Sequence, residues 1–459
     1  MVQSDSKCEQ DFIQISIGDW GLIVILKKQY VIYSCMFLFF LIGIYIRFLA
    51  VQYSVVDIPI RADASDYYSY AMNMHEWGVY SKENAAIVKP EPDALRSPGF
   101  PWFAYLFYSP NQDTFIKNVL VAQTFIQIIS FLFLLGVLSK FYGATVALIT
   151  GWFLWTFPHF VNINIYFLSE SLFTSLLAFS ISIAIWSHFS QQKKMYLYIL
   201  FAFFLGIAIL VRPTLQYFPF FIFFVLFIYY RKVTRPAVVI LIVSLIPMLL
   251  WGIRNLIIIG HWSDPTLTIN GLYHGSFPWF MYNDNPASFG FPYRFDPQAN
   301  EVYQGIGKTL EIIYERFSAD PMNYLSWYLV GKQFFLWQWS IIAGQGDIFI
   351  YPTLASPYYG EKISLLTYSV NKCIHFTWLV IAFLGLVVIV KKIVKKEKVA
   401  FSLIIISAIL LYAILIHIIV APFPRYGIPF KIPAIIVFAI VLSEIINWVK
   451  RKFASSFHV

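Results

Sequence analysis

Long apolar runs separated by short basic breaks set the rhythm of this chain, and two wide polar intervals interrupt it. A membrane-crossing helix needs about 20 mostly apolar residues, since its backbone must be satisfied internally. The runs 30–51, 116–138, 144–161, 166–188, 195–211, 215–230, 237–259, 373–390, 399–420 and 428–449 meet or approach that length. They predict an all-α integral membrane protein of about ten transmembrane helices, some shortened or interrupted by proline. The intervals 52–115 and 260–371 become two large loops. Within the second, 324–342 is apolar but carries Lys332, costly at the bilayer centre, and Trp327, Trp337 and Trp339, which suit its interface. This stretch reads as an interfacial or re-entrant helix.

Charge orients the spans. Lys27, Lys28, Lys140, Lys193, Lys194, Arg231, Lys232, Arg235, the basic run 391–398 and the run 450–452 all share one side if 324–342 does not cross. The positive-inside rule makes that side cytoplasmic. The expected layout is a cytoplasmic segment 1–27, a polytopic domain 28–451 with external loops 52–115 and 260–371, and a cytoplasmic tail 452–459. The N-terminus shows neither a charged start nor a small-residue cleavage site, so the first apolar run is expected to stay as an anchor. The expected location is the plasma membrane, the inner membrane of a bacterium.

Composition agrees. The 459 residues are 59% hydrophobic, 20% aromatic and 12% charged, with mean hydropathy +0.68. Soluble domains carry about twice that share of charge. The formal net charge of +9 is spent in the orienting clusters, so no nucleic-acid partner is expected. Cys8, Cys35 and Cys373 are far apart and lack metal-ligand spacing, which leaves no disulfide framework or zinc site.

The candidate chemistry gathers in the first loop. Asp63, Tyr67 and Ala71 follow helical i, i+4 spacing and share a face. Asp63 stands where a helix would begin, so it is either an N-cap or a functional acid. Asp66 reads as a complement to the helix dipole or as a second acid. The turn Arg96-Ser-Pro-Gly-Phe-Pro101 leads back toward the membrane; Arg96 is placed to grip a phosphate or to brace the loop against an acid.

Asp63 with Tyr67 and Ala71, then Gly78-Val-Tyr-Ser81, then Arg96-Ser-Pro-Gly-Phe-Pro101, resembles the first-loop signature of GT-C glycosyltransferases, in particular the protein O-mannosyltransferase and lipid A aminoarabinose transferase group. The likeness continues in order through Leu168-Ser-Glu170, Gly206 to Pro213, Trp251-Gly-Ile-Arg254-Asn255 and Arg425-Tyr426, covering about 25–450. It implies an inverting enzyme that moves a sugar from a polyprenyl-phosphate carrier to an acceptor hydroxyl, on a glycan, lipid or protein, outside the cytoplasm. The resemblance places the general base at Asp63. Eukaryotic-type mannosyltransferases carry Asp-Glu there; this chain has Asp63-Ala64, which leaves the acceptor open.

Such a reaction needs cations for the lipid phosphate. Arg96, Arg212, Arg254, Lys332 and Arg425, the last with Tyr426, all fall on the outer side next to apolar surface. Arg212 and Arg254 could equally be snorkelling helix ends. Glu170, at the outer end of a span, is expected to face protein or a cavity, as an acceptor or sugar contact or as partner to an arginine. Tyr67 joins it as a candidate acceptor contact. His75-Glu76 is too thin a signal to assign a metal, so no cofactor is expected and a divalent ion stays unassigned. In the second loop, aromatic and amide side chains suit sugar rings or interfacial anchoring, and Asp284, Asp296, Glu301 and Asp320 read as solvated surface.

Two other functions share this topology. A flippase or transporter would place charges mid-span, often in related halves. A glycan polymerase or ligase would carry a large late loop with paired arginines, where this chain has only the short segment 421–426.

Overall fold

The computed structural model describes residues 19–83, 88–190, 194–342 and 344–456. In chain order the helices are α1 (Asp19–Tyr53), α2 (Asp63–Glu76), α3 (Gly99–Tyr105), α4 (Gln112–Phe141), α5 (Ala144–Thr156), α6 (Pro158–Asn162), α7 (Ser169–Phe189), α8 (Lys194–Val211), α9 (Phe218–Tyr230) and α10 (Arg235–Ile259). Then come α11 (Thr266–Gly275), α12 (Ala299–Val302), α13 (Ile306–Ala319), α14 (Pro321–Ser326), α15 (Lys332–Trp337), α16 (Lys362–Val394), α17 (Phe401–Ile419), α18 (Pro424–Gly427) and α19 (Lys431–Ser456). Among the described residues nine helical segments are long and apolar enough to cross a bilayer, ten if the bent pair α5–α6 counts as one span. This is an all-α, multi-pass integral membrane protein. Several boundaries differ from the sequence expectation, most widely at α1, at α16 and at α19, which runs on to Ser456. α1 starts inside the segment read as a cytoplasmic extension, and α16 starts at Lys362 rather than 373, where the Glu361 carboxylate caps it by accepting from Ile363 and Ser364 N–H. Cys8 and the last three residues lie outside the described part.

The bend of 50° between α5 and α6 has a local cause. Pro158 has no N–H to return to the carbonyl of Leu154, and its ring breaks the helix. Arg47, buried on α1, donates instead to the carbonyls of Leu154 (2.8 Å) and Trp155 (3.0 Å) and to Gln127 Oε1 (2.9 Å). Helix α7 is the buried centre of the bundle. It tolerates Ser171, Ser175, Ser180 and Ser182 because each hydroxyl is satisfied within the protein, three of them by the carbonyl four residues back.

Both long loops sit at one end of the bundle. Strand β1 (Val55–Val56) of the first pairs antiparallel with β2 (Thr353–Ala355) of the second, Val55 opposite Ala355 and Val56 opposite Thr353. The basic breaks gather elsewhere. Tyr229 binds Glu397 and Val399, and Tyr142 binds Ser402, which draws three of those connections together.

The second loop has a small core of Ile269, Tyr273, Phe277, Val302 and Ile312. Asp296 belongs beneath it and not to a solvated surface: it is buried, accepts from Tyr273 Oη at 2.5 Å and pairs with Arg316 at 2.5 Å. Helices α14 and α15 are joined by a π-type turn, Trp327–Gly331, and are too short to span. Met322, Leu325, Leu329, Val330 and Phe334 are exposed along this unit while Trp327 and Phe335 pack inward.

Candidate functional site

Helix α2 opens abruptly. Ala62 takes φ 47°, ψ −124° and supplies no side-chain cap, and Asp63 is the first helical residue. The N-cap reading of Asp63 therefore does not hold, and its carboxylate is turned to other work. Asp63 Oδ1 accepts from Arg96 Nη2 at 2.8 Å, and Oδ2 from Arg425 Nη2 at 2.5 Å. One turn on, Asp66 accepts from Arg96 Nε at 2.8 Å, so it serves as a second acid and not merely as a dipole complement.

Arg96 is held by its own loop. Its backbone N–H donates to Tyr70 Oη (3.3 Å), and its carbonyl accepts from Tyr80 Oη (2.8 Å). Those two rings stack at 4.1 Å, and Tyr70 Oη donates to Asp93. The guanidinium lies 5.6 Å from the Tyr67 ring centre. Gly99 brings this turn against α8, because a Cβ there would stand 2.6 Å from the backbone of Leu210 and Val211. Arg212 follows directly.

Arg212 is not a snorkelling end. Its Nη1 pairs with Glu170 Oε1 at 2.7 Å, and its guanidinium sits 4.5 Å over the Tyr426 ring. Glu170, 1% exposed in the first turn of α7, also lies 3.8 Å from Arg425 Nε. Tyr67 Oη donates to the neighbouring Ser169 Oγ at 3.3 Å. Three carboxylates and three guanidinium groups thus interlock from five stretches of chain, formally balanced in charge. Burial works against the ionised Asp63 carboxyl, but Arg425 and Arg96 outweigh it and hold its pKa well below the usual carboxylate range. The same contacts hold Arg425 well above its ordinary value despite burial.

Asp63, Asp66, Tyr67, Arg96, Glu170, Arg212, Arg425 and Tyr426 are therefore one cluster. Lys332 and Arg254 are not among its ion pairs. Lys332 Nζ, fully buried, donates to the carbonyls of Ile418, Ile419 and Val420, so the expectation of a phosphate contact there gives way to a cap on the end of α17. Arg254 donates to the Asp93 carbonyl at 2.9 Å and stacks over Trp251 at 4.7 Å, bracing the first loop. His75 stacks on Tyr108 at 4.0 Å, and Glu76 accepts from the same tyrosine. Among the described residues no group of three His, Cys, Asp or Glu side chains could hold a metal ion.

Sequence reasoning missed Ser169, Tyr351 and Arg61. The Tyr351 ring lies 5.5 Å from the exposed Arg61 guanidinium, and its hydroxyl donates to the Arg61 carbonyl. Arg425, Asp63 and Glu170 all act on it electrostatically. Only the adjacency of Ser169 to Glu170 and of Arg61 to Asp63 could have pointed to two of them; Tyr351 carries no local signal.

No family model and no curated protein matches this sequence. Solved structures do. The Archaeoglobus fulgidus oligosaccharyltransferase, tethered to an acceptor peptide, superposes with TM-score 0.50 at 13% identity, over 92% of this chain and 50% of that one. The same organism's AglB, in complex with an inhibitory peptide and a dolichol-phosphate, gives TM-score 0.50 at 13% identity over 94% and 52%. The chain has the GT-C fold. ArnT from Cupriavidus metallidurans, in the apo state, matches at TM-score 0.38 and 12% identity over 91% of this chain and 77% of that one, too weakly to carry weight. The GT-C unit here spans about half the length of the oligosaccharyltransferase. At such identity the likeness establishes the fold alone.

Proposed function

We propose that this protein is an inverting glycosyltransferase that moves a sugar from a polyprenyl-phosphate carrier to an acceptor hydroxyl. The observation that carries the reading is the convergence of Asp63 with Arg96, Arg212 and Arg425 at the loop-bearing end of the bundle. A carboxylate can take the proton of a hydroxyl nucleophile, and guanidinium groups can hold a departing phosphate. The acceptor oxygen attacks the anomeric carbon from the face opposite the phosphate. The bond from that carbon to the phosphate oxygen breaks, its electron pair stays on the phosphate, and the hydroxyl proton passes to Asp63. The neighbour of the same fold that is complexed with dolichol-phosphate supports a lipid-phosphate donor.

In this reading the chain from α1 onward is one membrane domain, with the basic ends in the cytoplasm and the site on the outer face of a bacterial plasma membrane. Arg96, Arg212, Arg425 and Tyr426 bind the phosphate region, while Asp66, Tyr67 and Glu170 shape the acceptor side. The test is mass analysis of surface glycans and glycoproteins in a deletion strain. Loss of one sugar mass, restored by the wild-type chain and not by Asp63→Asn, is expected. Unchanged glycans, or full rescue by Asp63→Asn, would refute the proposal.

A further inference from the structure

Every arginine placed to bind a phosphate in this cluster is already bound to a carboxylate. Arg96 is tied to both Asp63 and Asp66, and Tyr70 and Tyr80 fix its backbone. Arg212 is committed to the buried Glu170 at 2.7 Å. Arg425 is the loosest. Its guanidinium makes one hydrogen bond, to Asp63, and reaches Glu170 only at 3.8 Å. It stands on the short helix α18, and among the described residues its guanidinium makes no hydrogen bond beyond the one to Asp63.

We propose that Asp63 competes with the lipid phosphate for Arg425, so that the donor, on binding, draws Arg425 away and releases the base it will need. The proposal rests on the reading of the site as a polyprenyl-phosphate site. A phosphate oxygen and a carboxylate oxygen ask for the same N–H donors, and the phosphate offers more acceptors to the planar fork. As Arg425 moves, one ion pair breaks and one forms, with no net change in charge-assisted bonds. Asp63 keeps its bond to Arg96, which holds it in position, but loses one of the two arginines bonded to its carboxylate and with it part of the stabilisation of its charged form. With no donor bound, Asp63 is a poor base, so no hydroxyl is activated before a sugar is in place.

The decisive consequence runs against the usual effect of removing a site residue. Undecaprenyl phosphate is titrated into the full chain in lipid nanodiscs and its affinity measured for wild type, Asp63→Asn, Arg425→Ala and the double variant. Asp63→Asn should bind roughly tenfold tighter, about 1.4 kcal/mol, because Arg425 loses its internal competitor. Arg425→Ala should bind weaker by a similar factor, and the double variant should show none of the gain. Asp63→Ser serves as a second neutral variant should the amide disturb folding, which thermal unfolding reports. Wild-type binding with unchanged or weaker affinity in both neutral variants overturns the exchange alone, as does a gain that persists without Arg425. No binding by the wild type overturns the lipid-phosphate reading itself and the exchange with it.

Discussion

Lys332 and Arg425 look alike as outer cations beside apolar surface, yet they do opposite work. Lys332 spends its three N–H donors on the carbonyls of Ile418, Ile419 and Val420 at 2.9, 3.1 and 3.3 Å, groups that the end of α17 leaves without helical partners. Burial also pushes its pKa well below that of an ordinary lysine. Arg425 faces a carboxylate that another anion can replace. Lys332→Met should therefore cost about 1–3 kcal/mol by orphaning buried carbonyls. A lower unfolding temperature in detergent, with undecaprenyl phosphate affinity unchanged in the folded protein, is expected; weaker affinity at unchanged stability would return Lys332 to the site. The sequence could not separate the two residues, because the partners of Lys332 lie more than 80 positions away. It did single out Asp63, Asp66, Arg96 and Glu170, whose polar side chains at the mouth of an apolar bundle demand an explanation. It raised an acid for Arg96 and an arginine for Glu170 as alternatives, but could not say which acid meets which arginine.

Among the elements, the second loop is docked onto the segment that carries Arg425. Ala421 N–H donates to the Gly271 carbonyl at 2.8 Å, and Phe423 stacks on Phe280 at 4.9 Å. A Cβ on Gly275 would stand 2.8 Å from the backbone of Val420 and Ala421, so glycine is what permits the approach. His274 lies in this seam, stacked on Tyr293 at 4.5 Å and edge-on to Phe423, with its Nε2 buried and, among the described residues, without a hydrogen-bond partner. Burial pushes its pKa down to about 4. A depressed imidazole favours the docked loop fully above its unfolded pKa of about 6.5, and that advantage is lost as pH falls from there toward 4. Hydrogen exchange over 266–280, corrected for its intrinsic pH dependence, should accelerate as pH drops from 7 to 5. His274→Phe should flatten the response; an equal response in that variant would assign it to another group. The helices of this loop were hard to place from sequence because they are short and pack on one another, whereas the long apolar periods of the spans stood out. Asp296 shows the limit: one buried acid among exposed ones is invisible until Tyr273 and Arg316 close over it.

At the scale of the molecule, the bundle brings stretches of chain that are far apart in sequence to one point. Asp63 and Arg425 are separated by 362 positions and meet at 2.5 Å because α2 and α7 begin, and α8 ends, beside the cluster. The paired strands β1 and β2 hold the two loops together around them. The site is charge-balanced within the protein, which lets it sit at the edge of an apolar medium without an uncompensated ion. In the proposed reading a ligand phosphate enters that balance by exchange. The most direct measurement is a cryo-EM structure of the full chain in nanodiscs with undecaprenyl phosphate bound. The phosphate is predicted within hydrogen-bonding distance of Arg425, with the Arg425–Asp63 contact opened and Arg96 still on Asp63. A phosphate bound elsewhere, with the Asp63, Arg96 and Arg425 pairings intact, would contradict the assignment of this cluster as the donor site.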